Sequence, residues 1–206
     1  NDQNVFDRHN RANNDEVVAK FHDGTPDIMD CAVDAADSAF EEWADTTPLV
    51  RGGVLFNAAV LLLTPEWRAR FVNAMVAEIG KTEGGANGEV TKTVNILKYM
   101  SGLPTHTRGD VISGDQAGVH MYTTSEPVGV AGLITPFNFP LAVTVWKLAA
   151  ALAAGCTVVL KPSPAAPMTS ALIVELFQEA MKQVKALTDA NIGPGVINMV
   201  HGGPDV

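Results

Sequence analysis

The chain has 206 residues, 47% of them hydrophobic and 18% charged, with a formal net charge of −9. That length supports one sizeable core or a large domain with an appendage, and the composition is that of a folded globular protein. An acidic chain without a run of Lys or Arg gains nothing from phosphate neutralisation, which argues against nucleic acid as a partner. Cys31 and Cys156 are too few and too far apart for a disulfide framework or a zinc site, and they suit a reducing, cytoplasmic setting.

The chain opens on Asn1 in polar sequence with no apolar targeting segment, which suggests a trimmed or processed start. Val5 to Phe21 reads as two short strands around the polar turn from Asn10 to Asp15. Asp27 or Asp30 can cap a helix through Ala32, Ala35, Ala36, Ala39, Phe40 and Trp43, ended by Thr46-Thr47-Pro48. Two helices follow, from about Leu49 to Leu63 and from Pro65 to Gly80, with Pro65 suited to a first turn. Gly84-Gly85 breaks the pattern, and a further helix runs from about Gly88 to Gly102 with Val90, Val94, Leu97 and Met100 on one stripe. Gly109–Gly114 and Gly118–Ser125 read as a polar hairpin. Being marginal alone, it leans either on a neighbouring subunit or on its own chain.

From Glu126 the order becomes strand, helix, strand, helix, strand: Val128–Ile134, Pro140–Ala154, Cys156–Leu160, Thr169 to about Ala186, and Val196–Val200. Short apolar strands alternating with helices predict an α/β fold with a parallel sheet. Leu141 to Leu160 has the length of a membrane span. It contains Lys147 and Gly155, however, and changes from helical to β-branched spacing, so a buried helix followed by a buried strand is expected and no membrane partner.

In an open parallel sheet, ligands bind beyond the carboxyl ends of the strands. At the first such end, Ile134-Thr135-Pro136-Phe137-Asn138-Phe139-Pro140 holds an amide between two aromatics and two prolines. A rigid Asn138 can aim its NH2 at a developing oxyanion, or it can simply cap the next helix. At the second end, Lys161 precedes Pro162-Ser163-Pro164. It can meet an anionic or hydroxyl-rich ligand, or snorkel to solvent. Gly202-Gly203 after the third strand permits close backbone approach to a ligand and is equally compatible with a plain turn. The five histidines show no metal-ligand spacing, so no metal is expected.

Together these segments resemble the aldehyde dehydrogenase superfamily. Glu126-Pro127-Val128-Gly129-Val130 followed by Thr135 to Pro140 is similar to the family's "EPxGVxxxIxPWNFP" segment. The run from Trp146 to Ser163 is similar to "K.APALAAGNTVVLKPS", Glu78-Ile79-Gly80-Lys81 to "ETGK", and Gly88-Glu89-Val90 through Tyr99 to the helix before the family's oligomerisation arm. The resemblance implies a Rossmann-like sheet with flanking helices, an N-terminal helical layer (1–104), a protruding hairpin arm (105–126) and the start of the sheet (127–206).

It further implies oxidation of an aldehyde to a carboxylic acid with NAD or NADP, through a cysteine thiohemiacetal and thioester. Asn138 matches the oxyanion-stabilising asparagine. Lys161 matches the lysine on the adenosine ribose, Ile134, Thr135, Pro136 and Phe137 line the cofactor cleft, and Ser163 and Gly203 lie beside it. Phe137 departs from the usual Trp. Pro164 stands where many NAD-preferring members carry a glutamate for the ribose hydroxyls, which implies tolerance of NADP. The family's nucleophilic Cys and general-base Glu are expected beyond residue 206, with a homodimer or homotetramer as the assembled state. The Trp146-Lys147-Leu148 variant resembles members acting on semialdehydes. Cys156, at a buried strand start, reads as core packing, and Cys31, on a helix with no neighbouring His or Lys in sequence, reads as structural rather than reactive. A non-catalytic assembly module using the arm remains the other reading.

Overall fold

The computed structural model describes residues 5–206, so the start at Asn1 lies outside the described residues. An N-terminal hairpin pairs β1 (Val5–Asn10) with β2 (Asn13–His22), and its turn is tighter than the polar run suggested. Four long helices follow with a short one between the first two: α1 (Pro26–Ser38), α2 (Phe40–Ala44), α3 (Pro48–Leu63), α4 (Pro65–Ile79) and α5 (Glu83–Gly102). The first cap is Thr25, whose hydroxyl accepts the Ile28 N–H, rather than Asp27 or Asp30; Pro26 occupies the first turn and Asp27 is already inside it.

Gly84-Gly85 does not break the fifth helix. Thr82 caps it by accepting the Gly85 N–H at 3.1 Å, so the glycines lie in its first turn, where the cap stabilises what glycine weakens. The hairpin β3 (Val111–Ser113) with β4 (His120–Tyr122) is short and exposed along both strands.

The third sheet carries the parallel strands β5 (Val130–Thr135), β6 (Thr157–Pro162) and β7 (Ile197–Met199) in the order β5-β6-β7. Between them run α6 (Ala142–Ala154), α7 (Pro167–Lys182) and the short α8 (Lys185–Ala190). The single helix expected to reach Ala186 is thus two, because Val184 is extended and redirects the chain. β6 is central, and its side chains alternate as a strand buried on both faces requires. Val158 and Leu160 join the main core, which includes Leu148, Leu152, Ile173 and Phe177, whereas Val159 packs with Ala36 and Val200 on the side of α1.

Gly195 marks this second contact. At φ +81° it takes the left-handed conformation, and a Cβ there would sit 2.6 Å from the Ala35 carbonyl oxygen. The Leu141–Leu160 stretch forms a helix and a strand, as expected. Among the described residues no single helix is long and apolar enough to cross a membrane; α3 and α4 together reach that length but are bent by 80°.

Candidate functional site

The parallel register brings three loops to one rim. Ile134 lies opposite Lys161, Thr135 opposite Pro162, and Leu160 opposite Met199. Backbone bonds tie the loops together: the Ser163 N–H donates to the Thr135 carbonyl at 3.0 Å, and the Val200 N–H to the Leu160 carbonyl at 2.9 Å. The Lys161 ammonium donates to the Gly202 carbonyl at 2.8 Å, joining the second loop to the third. The residues singled out in sequence therefore converge on the carboxyl edge of the sheet.

Within the first loop, Ile134 is 71% and Phe137 55% exposed, so the rim presents apolar surface beside a cation. Thr135 is buried, and its hydroxyl has no hydrogen-bond partner among the described residues. Asn138 is exposed and does not cap the following helix: the N-cap position of α6 is Leu141, with no side-chain bond. Instead the Asn138 Oδ1 accepts the Phe139 N–H at 3.1 Å. With its oxygen so engaged, the amide keeps its NH2 available on an exposed residue, and no partner for Nδ2 is found among the described residues. In the second loop the Ser163 hydroxyl accepts the Ala165 N–H, and Pro164 is exposed with no side-chain donor or acceptor to offer. Gly203 is half-buried, with open space where a Cβ would stand.

Three further residues belong to this site and were not singled out from the sequence. Glu89, fully buried on α5, accepts the Leu141 and Ala142 N–H groups at 3.0 and 2.9 Å and so supplies the cap that α6 lacks locally. Lys81 pairs with the other oxygen of that carboxylate and also donates to the Asn138 carbonyl at 3.1 Å. Lys147 donates to the Ile134 carbonyl at 2.7 Å. The available signal was Glu89 itself. It lies on the buried stripe of Ala86, Val90, Thr93, Val94 and Leu97, where an ionised group requires a partner.

Glu78 repeats the pattern one helix earlier. It accepts the Met168 N–H at 2.8 Å and the Thr169 N–H at 3.0 Å, together with the Thr169 hydroxyl, at the start of α7. Burial pushes this carboxyl above the ordinary carboxylate range, outweighing those hydrogen bonds and the nearby Arg8. Behind the third loop, His201 stands against the rings of Phe6 and Phe21, and burial holds it below its usual value against the opposing pull of Asp23.

A separate concavity of about 470 Å³ lies before β7, lined by Met181, Leu187, Asn191, Pro194 and Ile197 among others. None of the rim residues lines it, and its walls are mainly apolar, with Gln178, Lys182 and Thr188 as further polar groups.

Comparison with known proteins agrees with this geometry. The sequence description of the aldehyde dehydrogenase family matches residues 1–206. The chain is 39% identical over 193 residues to an alpha-ketoglutarate semialdehyde dehydrogenase of Haloferax volcanii, covering 94% of this chain and 38% of that protein. It is 37% identical to a 2,5-dioxopentanoate dehydrogenase of Saccharolobus solfataricus, with the same coverages. It thus spans about two fifths of the length of these relatives. Among solved structures, an NADP-dependent enzyme of E. coli superposes with a TM-score of 0.89 at 30% identity, over 99% of this chain and 40% of that one. A NAD-dependent benzaldehyde dehydrogenase of Corynebacterium glutamicum superposes at 0.87 and 31%, over 98% and 42%.

Proposed function

The chain belongs to the aldehyde dehydrogenase family, of whose members it represents the N-terminal portion, and we propose from this premise that the protein carrying it oxidises an aldehyde to a carboxylic acid with a nicotinamide dinucleotide. The observation that carries the reading is the Asn138 amide, exposed at the sheet rim with its oxygen bonded and its NH2 without a partner among the described residues. An amide held this way is a preorganised donor for charge that develops on a carbonyl oxygen, and it needs no reorganisation during the reaction.

The rim also fits the cofactor. The exposed apolar surface of Ile134 and Phe137 suits a planar ring. Lys161 spends one N–H on Gly202 and keeps two for ribose hydroxyls or phosphate. Thr135 and Ser163, joined by a backbone hydrogen bond, are read with Pro136 and Gly203 as the remaining lining of this cleft. When bound, the cofactor supplies the acceptor for the substrate hydride; this chain orients it and holds the carbonyl oxygen. Pro164 places no carboxylate beside the ribose, so a 2′-phosphate meets no repulsion there, and NADP is accepted alongside NAD. Because the relatives named above act on semialdehydes of keto acids, the substrate proposed is an aldehyde that carries a carboxylate. The exposed hairpin of Val111, Ile112, Met121 and Tyr122 supports self-association through this arm.

The test is kinetic. The full protein is assayed on a panel of acid semialdehydes and neutral aldehydes with both cofactors, beside Asn138→Ala. Loss of one oxyanion donor lowers kcat by about 10²- to 10³-fold with cofactor affinity retained. A variant within twofold of the parent refutes the role of Asn138, and strict use of NAD refutes the reading of Pro164.

A further inference from the structure

The Asn138–Phe139 peptide group is gripped at both ends. Its carbonyl accepts a hydrogen bond from the Lys81 ammonium at 3.1 Å, and its N–H donates to the Asn138 side-chain oxygen at 3.1 Å. The direction of the Asn138 amide is therefore fixed by the plane of this peptide, and the peptide plane is fixed by Lys81.

Lys81 is itself tightly placed. Gly80, left-handed at φ +70°, ends α4, and the Lys81 N–H closes the turn by donating to the Met75 carbonyl. The side chain is mostly covered, and its ammonium pairs with Glu89, a carboxylate with no exposed surface. It also lies 4.1 Å from the centre of the Phe139 ring. All three interactions of this ammonium thus fall on one short loop and on the carboxylate that caps the next helix. Glu89 completes the link, because its second oxygen takes the Leu141 and Ala142 N–H groups just after Pro140. The loop is pinned before and after the proline by one ion pair.

We infer that Lys81, held by Glu89, is a positioning residue that sets the direction of the Asn138 amide through the Asn138–Phe139 peptide group. The inference rests on the proposed role of Asn138 for its catalytic consequence, but the grip on the loop is a claim of its own. A buried pair of this kind is a poor source of net stability, because desolvation consumes much of the attraction. Its value lies in the geometry it enforces.

Two measurements on the full protein separate the possibilities. The first is amide hydrogen exchange over Phe139 to Val145 in the parent, Lys81→Met and Glu89→Gln. The grip predicts faster exchange in both variants, with the rest of the sheet unchanged; unchanged exchange at this loop overturns the inference whatever Asn138 does. The second is a double-mutant cycle in kcat. Misplacing a catalytic group by about 1 Å costs about 10²-fold, so Lys81→Met is expected to lose about 10- to 100-fold in kcat with the KM for cofactor little changed. If Lys81 acts through Asn138, adding Lys81→Met to Asn138→Ala slows the enzyme no further. Full additivity, or a Lys81→Met enzyme as fast as the parent, overturns the inference. If Asn138→Ala alone is as fast as the parent, the Asn138 reading fails instead, and the exchange experiment still decides the grip. Where Lys81→Met does not fold, Glu89→Gln, which retains an acceptor for the helix amides but not the charge, carries both measurements.

Discussion

Truncating Glu78 to Ala removes the acceptor of three donors at the start of α7. Two of them, the Thr169 N–H and hydroxyl, lie in a fully buried residue, whereas the Met168 N–H sits on a half-buried one. Each buried donor left without a partner costs about 1–3 kcal/mol, and loss of an N-terminal cap costs about 1 kcal/mol. Against this, removal of the carboxylate relieves the desolvation that pushes its pKa up and lets water reach Met168. We take about 2–4 kcal/mol as the net loss. Opening at one helix start is a local event that global unfolding averages over, so the assay is native-state hydrogen exchange over Pro167 to Glu175. At 1.4 kcal/mol per tenfold, exchange should accelerate about 30- to 700-fold. Glu78→Gln keeps an oxygen for Thr169 and should stay within about tenfold of the parent. The sign of the pH dependence follows from the raised value. The folded carboxyl binds its proton more tightly than the unfolded one, so the stability it contributes is present below the ordinary 4.5 and is lost as pH rises through the folded value. Glu78→Gln should flatten that slope. An Ala variant exchanging within threefold of the parent, or a Gln variant as fast as Ala, would refute the capping role.

His201 predicts the opposite slope: its folded value lies below the ordinary 6.5, so the native state resists protonation and stability falls as pH drops from 6.5 toward that value. Melting followed between pH 7.5 and 5.5 should show less acid sensitivity in His201→Gln, and parallel profiles would count against it. Gly195→Ala must push α1 from the sheet, since the new Cβ meets the Ala35 oxygen at 2.6 Å and the Ala39 Cβ at 3.0 Å at a positive φ. A loss above about 2 kcal/mol is expected, whereas Gly88→Ala on α5, with open space around it, should gain about 0.5–1 kcal/mol. Iodoacetamide should label exposed Cys31 in the native state and leave buried Cys156 untouched until denaturant is added; native labelling of Cys156 would contradict its packing role.

The order of elements was readable because two signals agreed. Apolar spacing switches from helical to strand-like at Gly155, and that residue is the left-handed end of α6. The convergence of Asn138, Lys161 and Gly203 followed from topology, since Lys161 is the penultimate residue of its parallel strand and Asn138 and Gly203 follow theirs. Two errors share a cause. Asp27 and Asp30 drew attention as caps, and Gly84-Gly85 as a break, because the Thr residues that govern both helices, Thr25 and Thr82, lie earlier in the chain than the residues that stood out. The partners of Glu89 and Glu78 were not readable, because the contacts link residues 52 and 91 positions apart, and no local pattern encodes such a distance.

That difference has a physical logic. The helices α1, α3, α4 and α5 are each capped by the Thr that precedes them: Thr25, Thr47, Thr64 and Thr82. The helices α6 and α7 have no side-chain cap of their own, at Leu141 and Ala166. Each follows a rim loop, Pro136 to Pro140 or Ser163 to Ala165, which under the proposed function has demands of its own: prolines for stiffness, an amide left available, close backbone packing. A Thr or Asp placed there to serve the helix would compete for the same backbone groups. The buried donors at those helix starts still require acceptors, and the packing of α4 and α5 against the sheet layer brings a carboxylate to each. Capping is local where the preceding loop lies away from the rim and remote where the loop is one proposed to hold ligand. The two Glu side chains on otherwise apolar stripes are therefore the trace that the uncapped rim loops leave elsewhere in the sequence.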